Sequence, residues 1–198
     1  MRSLLPPRTG ERWIERPDDR LRVSIVGTPS PGADFDHPLE MLEACHDRIE
    51  ERLQTLERLA GHLPQHGADE QARQAAANVM RYFDTAGEHH HQDEERDVFP
   101  AIRSHAGDAR TLDLIDGLQR DHDRMRVLWS ALRERLSAIA SGACAALEGA
   151  AVAEFAATYR RHIAREESEL LPLAARVLRG DEQAAIGTTM AVRRGVKR

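Results

Sequence analysis

One pattern of histidine and glutamate occurs twice in this chain of 198 residues. In each copy, a histidine on one apolar helical stripe is followed further along by a histidine and a glutamate four residues apart. A histidine and a carboxylate with this spacing differ by about 40° around a helix, so both side chains can reach one point. The repeat predicts two near-equivalent halves that meet at a metal centre. Its members are His46, His90 and Glu94 in the first copy and His122, His162 and Glu166 in the second.

The segments that carry the pattern have the periodicity of amphipathic helices. Apolar residues recur at spacings of three and four, and each of the four histidines fills a place in such a stripe. Four long helices with short connections predict an all-α fold, an up-down-up-down four-helix bundle. The predicted helices run from about Asp36 to Gly61, Asp69 to Phe99, Asp108 to Ala140 and Ala145 to Leu178.

The domain organisation is expected to follow from these helices. The bundle is assigned to residues 36–180. Residues 1–35 contain five prolines and little helical periodicity, so they predict an extended N-terminal arm. Residues 181–198 are polar and predict a C-terminal tail with at most one short helical turn.

Composition agrees with this class and narrows the function. Charged residues make up 31% of the chain and aromatic residues 4%, which is typical of a helical protein rather than a sandwich or barrel. The net charge of −5 gives no nucleic-acid footprint. No apolar run is long enough to cross a membrane, and the N-terminus lacks a signal-peptide pattern. Because Cys45 and Cys144 form no CxxC pair or disulfide framework, a reducing, cytoplasmic location is expected.

The chemistry of the repeated residues favours a two-metal centre. Four imidazoles and two carboxylates would be costly to bury without partners. A single core histidine is usually a hydrogen-bonded core residue, but four at repeat-related positions favour ligation. Two divalent ions bridged by both carboxylates would use six ligands and leave a position open for solvent or a diatomic molecule. Nitrogen and oxygen ligands without thiolate suit iron, manganese or zinc.

Other polar residues near the motif have two interpretations each. His89 and His91 lie about 100° to either side of the ligand histidine between them. They are predicted to face solvent, and a role as extra ligand or as partner of a ligand is the alternative. Glu95 and Glu167 lie about 140° from the partner histidines, which favours a surface or interhelical salt bridge. Tyr159 fits a core tyrosine and a donor to a bound oxygen species equally well.

The remaining candidate groups are assigned structural or surface positions. Cys45 is next to a predicted ligand but points off the stripe, so it is expected to be a packed thiol. Four histidines fall near helix ends or loops and are expected at the surface. These are His37, His62, His66 and His105.

The two HxxxEExxxxP segments, each paired with an upstream helical histidine, resemble the hemerythrin-like family, also called the HHE cation-binding domain. The resemblance covers about residues 36–178. It implies two iron ions in a carboxylate-bridged, non-haem site, often with oxygen binding or sensing. Carried over residue by residue, the implied ligands are His46, His90, Glu94, His122, His162 and Glu166.

The chain departs from oxygen-carrying hemerythrins at one position. Those proteins have a second histidine one turn after the third-helix ligand, where this chain has Arg126. The first hypothesis is therefore a protein that binds or senses oxygen, nitric oxide or iron. An enzyme that acts on peroxide or oxygen ranks second, because no substrate pocket or lid is visible. A metal-clamped structural or interaction domain is the third.

Ferritin-like di-iron bundles are the nearest structural rival. They use a glutamate three residues before a histidine, and Glu43 with His46 and Glu88 with His91 have that spacing. These two pairs are not on repeat-equivalent helices, since the residue that matches Glu43 in the second half is Gln119. The order with histidine first is the one that repeats, and it favours the hemerythrin-like arrangement.

Overall fold

A computed structural model describes residues 34–105 and 107–197 of the chain. Almost all of the predicted N-terminal arm therefore lies outside the described residues. Those residues form α-helices and π-helical turns, and no strand occurs among them. The α-helices are α1 (Pro38–His66), α2 (Glu70–Tyr82), α3 (Glu88–Asp93), α4 (Phe99–His105), α5 (Ala109–Ala140), α6 (Gly149–Arg165), α7 (Leu171–Val177) and α8 (Gly180–Arg193). The π-helical turns are π1 (Phe83–Gly87), π2 (Glu94–Val98) and π3 (Glu166–Leu170).

Four rods form the predicted bundle. The first is α1, the second runs from α2 through π1, α3 and π2 to α4, the third is α5, and the fourth runs from α6 through π3 to α7. Each rod packs against the next one along the chain, and α6 returns to contact α1. Because short connections join successive rods, neighbours are antiparallel. The prediction of an all-α four-helix bundle is confirmed.

Two rods are longer than the sequence predicted. The first continues past Gly61 and Pro64 to His66, and ends where Gly67 adopts a φ of +66°. The second continues through Pro100 to the end of α4. Pro100 is the second residue of α4, and the carbonyl four residues before it belongs to π2, where the α-helical ladder is already interrupted. Its missing N–H therefore breaks no regular hydrogen bond.

The region predicted as a polar tail contains a further helix. α8 spans 14 residues and buries Ile186, Met190 and Ala191 against the bundle, where it contacts α1 and α3. A Cβ at Gly187 would lie 1.8 Å from the Phe35 carbonyl oxygen, so only glycine permits this close approach. The apolar residues of α8 are spaced one turn apart, but they are too few to give a strong periodic signal.

The hydrophobic core is divided by a polar layer. Phe83 and Phe155 belong to the cluster on one side, and Phe99 and Leu170 to the cluster on the other. The repeated histidines and glutamates lie along the rods between these two clusters. No helix in the described part of the chain is both long and apolar enough to span a membrane.

Candidate metal centre

All six predicted ligands converge in the polar layer. Their exposed fractions lie between 0% and 2%. They divide into two groups of four, in each of which one nitrogen or oxygen atom per residue lies within 4.8 Å of the others. Glu94 and Glu166 belong to both groups. The first group adds His46 and His90, and the second adds His122 and His162.

The two oxygens of each shared carboxylate face different groups. Glu94 Oε1 lies 3.4 Å from His90 Nε2, and its Oε2 lies 3.2 Å from His122 Nε2. Glu166 Oε2 lies 3.2 Å from His46 Nε2, and its Oε1 lies 3.0 Å from His162 Nε2. Each carboxylate thus offers one oxygen to each half of the site, which is the arrangement that a bridging ligand needs.

Two further carboxylates orient His46 and His122 through the ring nitrogen that faces away from the site. His46 Nδ1 is 3.0 Å from Glu167 Oε1, and His122 Nδ1 is 2.8 Å from Glu95 Oε1. A carboxylate accepts the Nδ1 proton, so the Nε2 atom of the neutral ring carries a lone pair. That lone pair is aimed at a carboxylate oxygen of Glu94 or Glu166. Two acceptors facing each other repel unless a cation or a proton lies between them.

The unpaired atoms of the site fit a metal. Among the described residues, Glu94 Oε2, both Glu166 oxygens and His46 Nε2 are buried without a hydrogen-bond partner. His46 Nε2 lies 3.2 Å from Glu166 Oε2, and Glu94 Oε2 lies 3.2 Å from His122 Nε2, but neither contact has the geometry of a hydrogen bond. Also, His122 Nε2 is only 3.0 Å from His162 Nε2. Buried polar atoms without partners are rare, and a coordinated ion satisfies nitrogen and oxygen donors together.

Burial and mutual charge shift the pKa values of the clustered side chains in different directions. Burial would lower the pKa of His162, but the negative charge of Glu166 and the nearby Asp121 carboxylate raise that pKa to about 9. Burial and the Glu166 charge raise the pKa of Glu94 well above its usual range. Burial opposes ionisation of Glu166 too, but His162 holds its pKa well below normal. A metal ion that binds here must displace any protons on these groups.

The surroundings of the Nδ1 atoms of His90 and His162 differ between the two halves of the site. Asp121 Oδ2 lies 3.6 Å from His162 Nδ1 and accepts a hydrogen bond from Arg165 at 3.2 Å. The position that matches Asp121 in the first half is Cys45, a buried thiol whose pKa is raised by burial. This agrees with the prediction of a packed thiol. His90 Nδ1 has no hydrogen-bond partner in the described structure.

The π turns explain why Glu95 and Glu167 reach two of the predicted ligand histidines. The Phe99 N–H donates to the Glu94 carbonyl, and the Leu171 N–H donates to the Glu166 carbonyl, each five residues back. The wider turn rotates the residue after Glu94 and the residue after Glu166 back toward the site. The predicted interhelical contact is present, but its partner is one of the predicted ligand histidines. The doubled Glu-Glu pair was the sequence signal for this role.

The prediction that His91 faces solvent was wrong. Its side chain is buried, with 4% exposure, and its ring stacks on that of His122 at 4.1 Å between centroids and 20° between planes. The Nε2 atom of His91 has no hydrogen-bond partner. The Tyr159 ring lies 5.8 Å away on the same side of the site, and His89 is half-buried. His91 is buried because α5 and α8 both pack against α3, a tertiary arrangement that a helical wheel of one segment does not contain.

Arg126, at the position where an oxygen carrier has a fifth histidine, binds a carboxylate that contacts His122. Its guanidinium donates to Glu95 Oε1 and, at 2.7 Å, to Asp123 Oδ1. The same Glu95 oxygen accepts the proton of His122 Nδ1. Arg126 therefore fixes a carboxylate that fixes a predicted ligand.

Arginines at the C-terminal end of α8 form ion pairs with acidic residues in and next to π2. Asp93, which directly precedes Glu94, is 0% exposed and accepts hydrogen bonds from Arg193 and Arg194. Arg194 Nη2 lies 2.6 Å from Asp93, and Arg193 Nη2 lies 2.8 Å from Asp97. These contacts connect the C-terminal helix to the turn that carries Glu94. Local sequence patterns do not indicate these contacts, because the partners lie about 100 residues apart.

Comparisons with known proteins agree with this geometry. The family model of the hemerythrin HHE cation binding domain matches residues 37–174. An uncharacterized protein of Haemophilus influenzae is 31% identical over 169 residues, which covers 85% of this chain and 96% of that protein. The range matched by the family model spans every residue of the buried His/Glu cluster. The chain therefore belongs to the hemerythrin HHE cation-binding domain family.

Proposed function

We propose that this chain is a non-haem di-iron protein that binds or senses a small ligand, such as oxygen or nitric oxide, or senses iron itself. The observation that carries the proposal is the division of the Glu94 and Glu166 oxygens between two histidine pairs. With both carboxylates shared, six side chains supply each of two ions with four donor atoms. Six-coordinate ions would then keep positions for solvent or an exogenous ligand.

Iron is the metal that we favour, with zinc and manganese as the alternatives for the same ligands. Imidazole and carboxylate donors without thiolate suit all three ions. Iron bound here would supply a reversible change of oxidation state and an open position for a small molecule. The family relation to a cation-binding domain supports metal binding and leaves the choice of ion to experiment.

The residues of this chain would prepare the site in three ways. Glu95 and Glu167 hold the Nδ1 protons of His122 and His46, which keeps each Nε2 free as a donor atom. Burial of the whole set excludes bulk water. Phe99 stacks beside His122 at 5.8 Å between centroids and helps to close the site to anything but small molecules.

A second candidate function is an enzyme that acts on peroxide or oxygen. His91 supports it, because its unpartnered Nε2 lies in a buried ring stacked on His122. Such a group could hydrogen-bond a bound oxygen species or move a proton at its Nε2 atom. Peroxide decomposition by the wild type that is lost in His91→Leu with full metal retention would favour this alternative.

Metal analysis combined with absorption spectra in air and after reduction tests the main proposal. We expect two iron ions per chain and near-ultraviolet charge-transfer bands that change with reductant. His122→Ala and Glu166→Ala should lower the metal content, whereas Glu154→Ala, an exposed glutamate paired with Arg124, should not. A colourless protein with stoichiometric zinc would leave only a structural role for the metal. Two metals retained in both ligand variants would refute the ligand assignment.

A further inference from the structure

We infer that the chain has a second cation site, for a borderline divalent ion such as zinc, at the turn between α1 and α2. The site consists of His62, His66 and Asp69. One nitrogen or carboxylate oxygen from each residue lies within 4.8 Å of the other two. His62 lies 16 positions after His46 on the same helix, which places the turn about 24 Å along the bundle from the central site. This site shares no residue with the central cluster.

The two imidazoles are arranged side by side. His62 and His66 are four residues apart in the last turns of α1, and their rings stack with centroids 4.3 Å apart and planes at 22°. Histidines with this spacing on a helix direct their nitrogens to the same side. Two imidazoles at the protein surface gain little from stacking on each other alone, but one ion can bind both.

A carboxylate from the next helix completes the set. Asp69 Oδ2 lies 2.9 Å from His62 Nε2, and Asp69 Oδ1 accepts the Ala72 N–H as the N-cap of α2. The cap fixes the carboxylate from one side, so Oδ2 is held toward the histidines. The chain reverses at Gly67, whose φ of +66° lets the two helix ends approach.

The local field and exposure also favour a cation. The histidines lie at the C-terminal end of α1, where the helix dipole favours positive charge. His62 is half-buried and His66 is exposed, so water can complete the coordination sphere. Two imidazole nitrogens and one carboxylate oxygen are ligands that zinc accepts. The ion would join the end of one bundle helix to the start of the next.

Zinc binding at fixed pH tests this site independently of what fills the centre. The protein is first loaded with iron, then dialysed against increasing zinc, with iron and zinc counted in the same samples. We expect one zinc ion per chain that binds without loss of iron. His66→Ala and His62→Ala should each weaken this binding at least tenfold. Asp69→Asn should weaken it as well, while the asparagine still caps α2.

The control is His105→Ala, which removes a partly exposed histidine that pairs with Glu182 at 2.8 Å elsewhere in the fold. It should leave zinc binding unchanged. If the central site takes zinc instead of iron, the wild type should still bind one ion more than His66→Ala. Equal zinc stoichiometry and affinity in the wild type and both histidine variants would overturn the inference.

Discussion

Removal of the carboxylate behind His122 is the sharpest perturbation of the proposed centre. Glu95→Ala leaves all six proposed ligands in place but takes away the acceptor that lies 2.8 Å from His122 Nδ1. The ring can then rotate or change tautomer, and its Nε2 is no longer held as a lone-pair donor. We predict a loss of metal affinity between about 10-fold and 100-fold.

The structure supports the lower part of that range. Burial would raise the pKa of Glu95, but the hydrogen bond with His122 and the charge of Arg126 lower it from 4.5 to about 2. Arg126 also holds this carboxylate, and the side chain is 21% exposed and so partly screened. A hydrogen bond to a charged group contributes about 1.5–3 kcal/mol, and screening favours the lower value. A loss of about 1.5 kcal/mol corresponds to about tenfold in affinity.

A competition titration against a chromophoric chelator measures the affinity directly. Glu167→Ala is the repeat-related variant, and we expect a smaller loss because Glu167 is 46% exposed and better screened. Glu154→Ala controls for the loss of an interhelical glutamate on the surface. Affinity of Glu95→Ala equal to that of the Glu154→Ala control would refute the role assigned to Glu95.

Three further outcomes follow from the same structure. The pKa of His162 is raised from 6.5 to about 9, so its contribution to the stability of the protein without metal is complete below pH 6.5 and lost as the pH rises to about 9. The free energy of unfolding measured in urea should therefore fall by on the order of 3 kcal/mol between pH 6 and pH 9. Metal affinity should increase over the same interval. Phe155→Ala empties a fully buried core position and should lower the free energy of unfolding by about 3–5 kcal/mol in urea titrations. The double variant Arg193→Ala, Arg194→Ala leaves Asp93 buried without its arginine partners, so it should destabilise the protein by about 3–5 kcal/mol and speed metal release to a chelator.

Helical periodicity was sufficient to predict the bundle and the convergence of six side chains. His46 and His122 fill places in apolar stripes, so burial of the stripe buries them too. The spacing of four between His90 and Glu94 keeps its α-helical geometry because His90 lies within α3 and Glu94 directly follows α3. Patterns of three and four depend only on local geometry, which is why the sequence could predict them.

The interactions around the site could not be predicted in the same way. Each π turn adds a residue to its helical turn, so an ideal helical wheel misplaces a residue inside it such as Glu95. His91 is buried by contacts with other helices, which a helical wheel of one segment does not contain. The contacts of Arg193 with Asp93 depend on how α8 packs, which is a tertiary effect. Local sequence patterns carry no information on such distant pairs.

Anomalous diffraction at the iron edge from crystals of the iron-loaded protein tests the central proposal most directly. We predict two peaks in the polar layer between the two hydrophobic clusters. One should lie beside His46 and His90, and the other beside His122 and His162. Glu94 and Glu166 should each coordinate both ions through different oxygens. A single peak, or two ions that do not share both carboxylates, would contradict the proposed centre.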